Sequence, residues 1–197
     1  MDVDPDGVPS LYRTLAGAVV PRPIAWVSTT SQEGVDNLAP YSFFNVVSYD
    51  PPVVMFAPVD DSSDPDGFKD TPRNVEATEE FVVNVVTEEL AEAMNATSAT
   101  LPAGESEFDH AGLERGDSKV VAPPSVAASP VNFECSLYEM VDVGSSTMVL
   151  GEVEWVQIDD DVTTDGKVDV TKLDAVGRLS GSLYATTRER FALERPE

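Results

Sequence analysis

Two short stretches of this chain concentrate side chains able to hold a small molecule. The first is Asn37-Leu38-Ala39-Pro40-Tyr41-Ser42-Phe43-Phe44-Asn45, followed by Ser48. Amides, hydroxyls and aromatic rings set between apolar segments suit a flat heteroaromatic ring with polar edges, by plane-on-plane contact and by donors to ring carbonyls and nitrogens. The same residues also suit a plain turn with polar decoration. The second stretch, Lys69-Asp70-Thr71-Pro72-Arg73-Asn74, reads as a helix start, with Asp70 or Thr71 as N-cap and Pro72 in the first turn, where proline is tolerated. Free N–H groups and the positive end of the helix dipole, flanked by Lys69 and Arg73, would make an anion site. A capped helix whose two cations pair with surface acids is the alternative.

Other reactive residue types are informative by scarcity. Cys135 is the only cysteine, which excludes an intrachain disulfide and a cysteine metal cluster. His110 is the only histidine, which leaves no room for a histidine-based metal site. No Gly-rich phosphate loop, Gly-x-Ser-x-Gly elbow or His-Glu-x-x-His motif is present, so the usual nucleophilic enzymes are disfavoured. Cys135 falls on an inward strand face and reads as a core residue.

Strands must position these groups. Residues 24–30 are rich in β-branched and aromatic types and end at the turn Gln32-Glu33-Gly34; residues 38–47 resume as a second extended segment. After Pro51-Pro52, residues 53–57 form an uninterrupted apolar strand of the kind buried on both faces, and residues 81–86 repeat that character. Residues 131–138 alternate, with Val131, Phe133, Cys135 and Leu137 inward. Residues 147–158 form a long strand whose alternation slips near Trp155-Val156, as at a bulge. A second helix is expected to start at Thr87 as cap, with Glu88 and Glu89 complementing the dipole and Leu90, Ala93 and Met94 as its apolar stripe. Residues 97–129 read as a long loop, which in a compact domain is either disordered or functional. The fold class is mainly β, an antiparallel barrel or sandwich with a few short helices.

At 197 residues and 42% hydrophobic content the chain is long enough for one domain, taken as residues 1–197, and is not a disordered tail. No apolar run approaches the roughly 20 residues of a membrane helix. The acidic start Met1-Asp2-Val3-Asp4 is unlike a signal peptide, so the expectation is a cytoplasmic protein. The formal net charge is −24, from 36 acids against 12 bases, which argues against nucleic acid. Asp159-Asp160-Asp161 could form a calcium site. Acids are nevertheless dispersed along the chain, including Asp60-Asp61 and Asp64-Pro65-Asp66, and only Lys69, Lys119, Lys167 and Lys172 are lysines. That pattern favours a halophile surface that stays soluble in concentrated salt.

An ordered set of strings carries a family resemblance. Residues 21–29 (PRPIAWVST), Gly34, residues 37–45 (NLAPYSFFN) and residues 50–54 (DPPVV) resemble the opening of the flavin reductase-like family, particularly its flavoredoxin-type branch. The match continues through Lys69-Asp70-Thr71 with Asn74, Phe81–Asn84, Glu105–Phe108 with Ala111-Gly112-Leu113, and Gly177-Arg178-Leu179 with Gly181 and Tyr184. The resemblance implies an FMN-binding split β-barrel of Greek-key type, a homodimer with flavin near the subunit interface. By position, Asn37, Leu38, Ala39, Pro40, Tyr41 and Ser42, with Asn45, would line the ring and ribityl chain, and Phe56, Ala57 and Pro58 would form the adjoining wall. Lys69, Asp70 and Thr71 would lie at the phosphate end. Arg22 and Arg178 are further candidates for phosphate or partner-subunit contacts. The loop 105–113 would close over the flavin; within it His110 is either a proton donor or a solvent-facing histidine. Three functions follow: an NAD(P)H-dependent flavin reductase, an electron carrier whose FMN is reduced by a redox protein, or flavin binding with a storage or sensing role. For the reductase, a dianionic dinucleotide approaching so acidic a protein implies activity that rises with ionic strength.

Overall fold

The computed structural model describes residues 2–59, 69–102 and 104–196; the acidic runs at 60–61 and 64–66 lie outside the described residues. In chain order the elements are α1 (Tyr12–Ala18), β1 (Ala25–Thr30), β2 (Asp36–Tyr41), β3 (Phe44–Tyr49), β4 (Pro52–Phe56), α2 (Asp70–Thr78), β5 (Glu80–Val85), α3 (Ala91–Ala96) and α4 (Glu107–His110). Then follow β6 (Arg115–Gly116), β7 (Ser125–Val126), β8 (Val131–Val143), β9 (Ser146–Ile158), β10 (Thr163–Thr164), β11 (Lys167–Val168), α5 (Val170–Leu173), β12 (Val176–Arg178) and β13 (Tyr184–Thr186). None of the described helices is long and apolar enough to cross a membrane.

Seven strands form one antiparallel sheet in the order β2-β1-β5-β8-β9-β4-β3. Its two edges, β2 and β3, are joined only by Ser42 and Phe43. Three virtual bonds reach at most about 11 Å, so the sheet must curl until its edges meet. Tyr41 and Phe56 pack across that seam with ring centroids 5.1 Å apart, and Ala57 N–H donates to the Phe43 carbonyl at 2.8 Å. The result is a split β-barrel. The expected single extended segment at 38–47 is thus two strands, broken where the chain crosses the seam.

Two apolar layers result. Inside the barrel, Ala25, Val27, Tyr41, Val54, Phe56, Phe81, Val83, Cys135 and Val149 pack together, and Val75 of α2 joins them. Phe81 lies so close to β9 that a Cβ at Gly151 would sit 2.2 Å from its ring, so only glycine fits. Outside, Ile24, Trp26 and Leu38 face Met94 of α3, Phe108 of α4, Val126 and Val176. Alternate residues of β1 therefore serve different cores, which is why Ala25 to Thr29 are buried without a break.

Several expectations shift. The N-cap of α2 is Lys69, with no side-chain cap bond, rather than Asp70 or Thr71. The next helix begins at Ala91, because residues 87–90 form a turn tied by a bridge from Thr87 to Ala175; Leu90, Ala93 and Met94 still face the core. The bulge near Trp155 is present, with Glu154 left out of the register between β8 and β9. The 97–129 stretch is not structureless, since it contains α4, β6 and β7. Asn132 and Glu134, on the face of β8 expected to be outward, are also buried.

Candidate flavin site

A groove runs over the outer edge of β2. One end is a cleft of about 290 Å³ lined by Asn37, Ala39, Pro40, Tyr41, Lys69–Thr71 and residues 97–101 with Glu107. It continues, through the shared Pro40 and Ser98, into a larger cavity of about 580 Å³ lined by Arg22, Ser42 and Arg178 among others. Together these volumes fall in the usual range for small-molecule sites.

Edge geometry decides what this strand offers. The Leu38 N–H donates away from the sheet to Glu107 Oε2 at 3.0 Å. Two residues along the same side, Pro40 has no N–H to satisfy, which is why proline is tolerated there. Leu38 itself turns its side chain into the outer layer. The Asn37 amide lies 2.8 Å from Thr71 Oγ1 and 3.3 Å from Glu107 Oε2, with its oxygen accepting from Thr71 and its nitrogen donating to Glu107. Thr71 also bonds the Tyr41 hydroxyl. Tyr41, Thr71, Asn37 and Glu107 thus form one polar network under the cleft.

Its charges are biased by burial. Burial pushes the Tyr41 hydroxyl far up, opposed by the Thr71 bond, and the Glu107 and Asp70 carboxylates push the same way; it remains a donor. Burial also raises the Glu107 carboxyl above its ordinary 4.5, against the bond from Leu38 N–H. A carboxyl raised on folding contributes stability that is complete below about 4.5 and lost as pH rises through the folded value. Glu107→Gln keeps an oxygen for Leu38 N–H and removes the charge. Its stability advantage over wild type is therefore expected to grow from pH 4.5 to pH 8 in urea titrations; parallel pH profiles would refute this placement.

Glu107 is the residue that the sequence pattern under-weighted. It is held in place by its neighbours: Phe108 is fully buried, and Arg115 stacks on that ring at 4.9 Å while bonding Asp36, Asp109 and Ser106. The opposite wall is set by Trp26 Nε1, which donates to Thr97 Oγ1 at 2.8 Å.

The other expected site residues divide. Lys69, Asp70 and Thr71 meet Asn37, Ala39, Pro40 and Tyr41 in the smaller cleft, while Arg22, Ser42 and Arg178 line the larger cavity. Phe56 is fully buried in the barrel, so its ring is core and lines neither space. Asn45 is exposed, its oxygen accepting from Val46 N–H, and with Ala57 and Pro58 it lies across the seam, lining neither. His110 is exposed and lines no described cavity, although the same helix supplies Glu107. Cys135 is buried, and burial pushes its thiol far up, as for a core residue. Among the described residues no group of three acidic, histidine or cysteine side chains is placed to hold a metal ion.

Comparison with known proteins decides the family. Residues 17–176 match the model of the flavin reductase like domain. The chain belongs to the flavin reductase-like family. BH2278, an uncharacterized protein of Halalkalibacterium halodurans, is 40% identical over all of this chain and 97% of its own. Nitrilotriacetate monooxygenase component B from Bacillus cereus superposes with a TM-score of 0.93 at 31% identity, covering 98% of each chain. The 2-nitrobenzoate 2-nitroreductase NbaA of Pseudomonas fluorescens gives 0.90 at 31% identity, covering all of this chain and 96% of that one. Flavoredoxins from Desulfovibrio vulgaris and Methanosarcina acetivorans share the fold, at 20% and 17% identity. Membership of the flavin reductase-like family makes this chain a flavin-related oxidoreductase and implies a flavin cofactor.

Proposed function

We propose that this chain binds FMN non-covalently along the β2 groove and works as an NAD(P)H-dependent flavin reductase. The observation that carries the reading is the donor set of the smaller cleft. The Lys69 ammonium and the first turn of α2 stand beside an edge strand that offers peptide planes at Ala39 and Pro40 and, at its last residue, the Tyr41 hydroxyl. An anionic end and a flat polar ring match that order of groups. In this assignment Lys69 holds the phosphate, residues 39–42 orient the ring and ribityl chain, and the Tyr41–Thr71–Asn37 network keeps that wall of the cleft in place. Bound flavin supplies a hydride-accepting centre; the chain supplies orientation, access and the hydrogen bonds that set potential.

A homodimer fits the same reading. Val46, Val47 and Tyr49 of β3 are 66%, 55% and 93% exposed beside the seam, with only half-buried Ser48 between them, an apolar edge that a second copy would cover.

The test is the absorbance of purified protein in high salt before and after adding FMN, followed by rapid mixing with NADH or NADPH. Flavin bands whose fluorescence is quenched on binding, then bleached within a turnover time by either dinucleotide, are the expected outcome. Failure of excess FMN to bind or to raise the melting temperature would end the flavin assignment. Bound flavin that a redox protein reduces and nicotinamide does not would make the protein an electron carrier.

A further inference from the structure

The larger cavity carries a charge pattern that the rest of the chain does not prepare for. Acids are 36 of the 197 residues and bases 12, yet none of the fifteen residues lining this cavity is acidic and three, Arg13, Arg22 and Arg178, are arginines. Arg22 is 93% buried, and the partners of its guanidinium are the Ala16, Val19 and Leu179 carbonyls and the Ser42 hydroxyl, none of them charged. Arg178 stacks on the Tyr184 ring at 4.5 Å and donates to the Tyr184 hydroxyl and the Gly181 carbonyl, again all neutral. Among the described residues neither these two nor Arg13 forms an ion pair.

The backbone sets two of these charges side by side. Arg22 and Arg178 pair as an antiparallel bridge, with N–H···O bonds of 2.9 and 2.8 Å in both directions. The approach is close enough that a Cβ on Gly177 would lie 2.9 Å from the Pro21 side chain. Like charges directly opposite across strands destabilise the pair, and a buried charge without a counter-ion is costly. A bound anion removes both penalties, and guanidinium groups match phosphate oxygens in a fork.

We propose that this cavity binds the phosphate or pyrophosphate group of the reactant that exchanges electrons with the flavin, while the Lys69 end holds the flavin's own phosphate. The identity of that reactant rests on the flavin reading above; the anion site itself does not. Arg13 is the exposed, outermost of the three and the first that an incoming anion meets. Arg22 is left intact in any test because its bonds hold the end of α1.

The experiment is calorimetric titration of FMN-loaded protein, at modest ionic strength, with inorganic pyrophosphate and then with ADP-ribose. Both are expected to bind. Arg13→Gln and Arg178→Gln should each raise the Kd for pyrophosphate about tenfold, the loss of one charge-assisted contact. Arg195→Gln, an exposed arginine outside the cavity, makes the same change in net charge and should leave the Kd unaltered. Arg178→Lys, which keeps charge but loses the fork, should fall between. Equal affinity in wild type, Arg13→Gln and Arg178→Gln overturns the proposal. So does pyrophosphate binding only to flavin-free protein with displacement by FMN but not by riboflavin, since the cavity would then hold the flavin's phosphate. If the chain takes no flavin yet binds pyrophosphate through these arginines, the anion site stands and the reductase reading falls.

Discussion

Replacing Lys69 with alanine is expected to weaken FMN binding by about tenfold to a hundredfold, the worth of one charge-assisted contact to a phosphate. Lys69 precedes the first turn of α2 and lines the smaller cleft. Its side chain caps nothing in the helix; its loss should therefore cost ligand affinity and little stability. Riboflavin separates this cause from general damage. It carries the same ring without the phosphate, so its affinity should be the same in wild type and Lys69→Ala. Fluorescence-quenching titrations with both flavins, at fixed salt, read the two numbers directly. An equal loss for FMN and riboflavin would mean that Lys69 shapes the cleft instead of holding the phosphate. No loss for either, combined with weaker FMN binding in Arg13→Gln, would turn the ligand end for end in the groove.

Much of this architecture is legible in the amino-acid sequence, for reasons that differ between elements. Strand β1 was readable because both its faces are buried, so every residue from Ala25 to Val27 is apolar. The pairing of Lys69 with residues 37–42 was not a matter of periodicity: nothing local places a helix start 30 residues away against an edge strand. It followed from helix-end electrostatics on one side and an ordered family resemblance on the other. What stayed hidden depends on long-range contact. The seam that splits residues 38–47 is set by barrel closure, which no local pattern at Ser42 and Phe43 encodes. Phe56 sits at the end of an apolar strand, and only the Tyr41 and Phe81 rings beside it show that it faces inward. Glu107 and Arg13 lie in segments whose local signals are those of loop and surface; their cavities exist only once α4 and α1 are docked. The signal that was available for the arginines was scarcity, since each base in so acidic a chain is conspicuous.

Glu134→Gln is expected to be the most destabilising of the substitutions considered, because it reverses the hydrogen-bonding sense of a fully buried side chain. Alternation along β8 assigns Glu134 to the outer face, and solvent would normally be its partner. The structure covers that face with residues 117–123 instead. The carboxylate accepts from the N–H groups of Lys119 at 2.8 Å, Val120 at 2.7 Å and Val121 at 3.3 Å, and from Gln157 Nε2 at 2.8 Å. Burial pushes its pKa up, but these donors outweigh it and hold the group below its ordinary 4.5. An amide nitrogen in the same place would face donors, at a cost of about 2–4 kcal/mol, which for a chain of this length lowers Tm by roughly 10 °C. The sign of the pH effect follows from the lowered pKa: the contribution is present above about 4.5 and lost as pH falls through the folded value. The gap between wild type and Glu134→Gln should therefore be widest at neutral pH and narrow in acid. Exposed Glu139 on the same strand gives the comparison, and Glu139→Gln should melt with wild type. Matching melts for the two variants would mean that the 117–123 segment is held by something other than this carboxylate. The consequence reaches the site, because the segment leads into Pro124, whose carbonyl accepts from Ser28, and Val126, whose N–H donates to Asn84 Oδ1 at 2.7 Å. Val126 packs with Trp26, Leu38 and Phe108 in the layer behind β2. A buried carboxylate that lines no part of the groove thus helps hold the strand on which the flavin is proposed to lie.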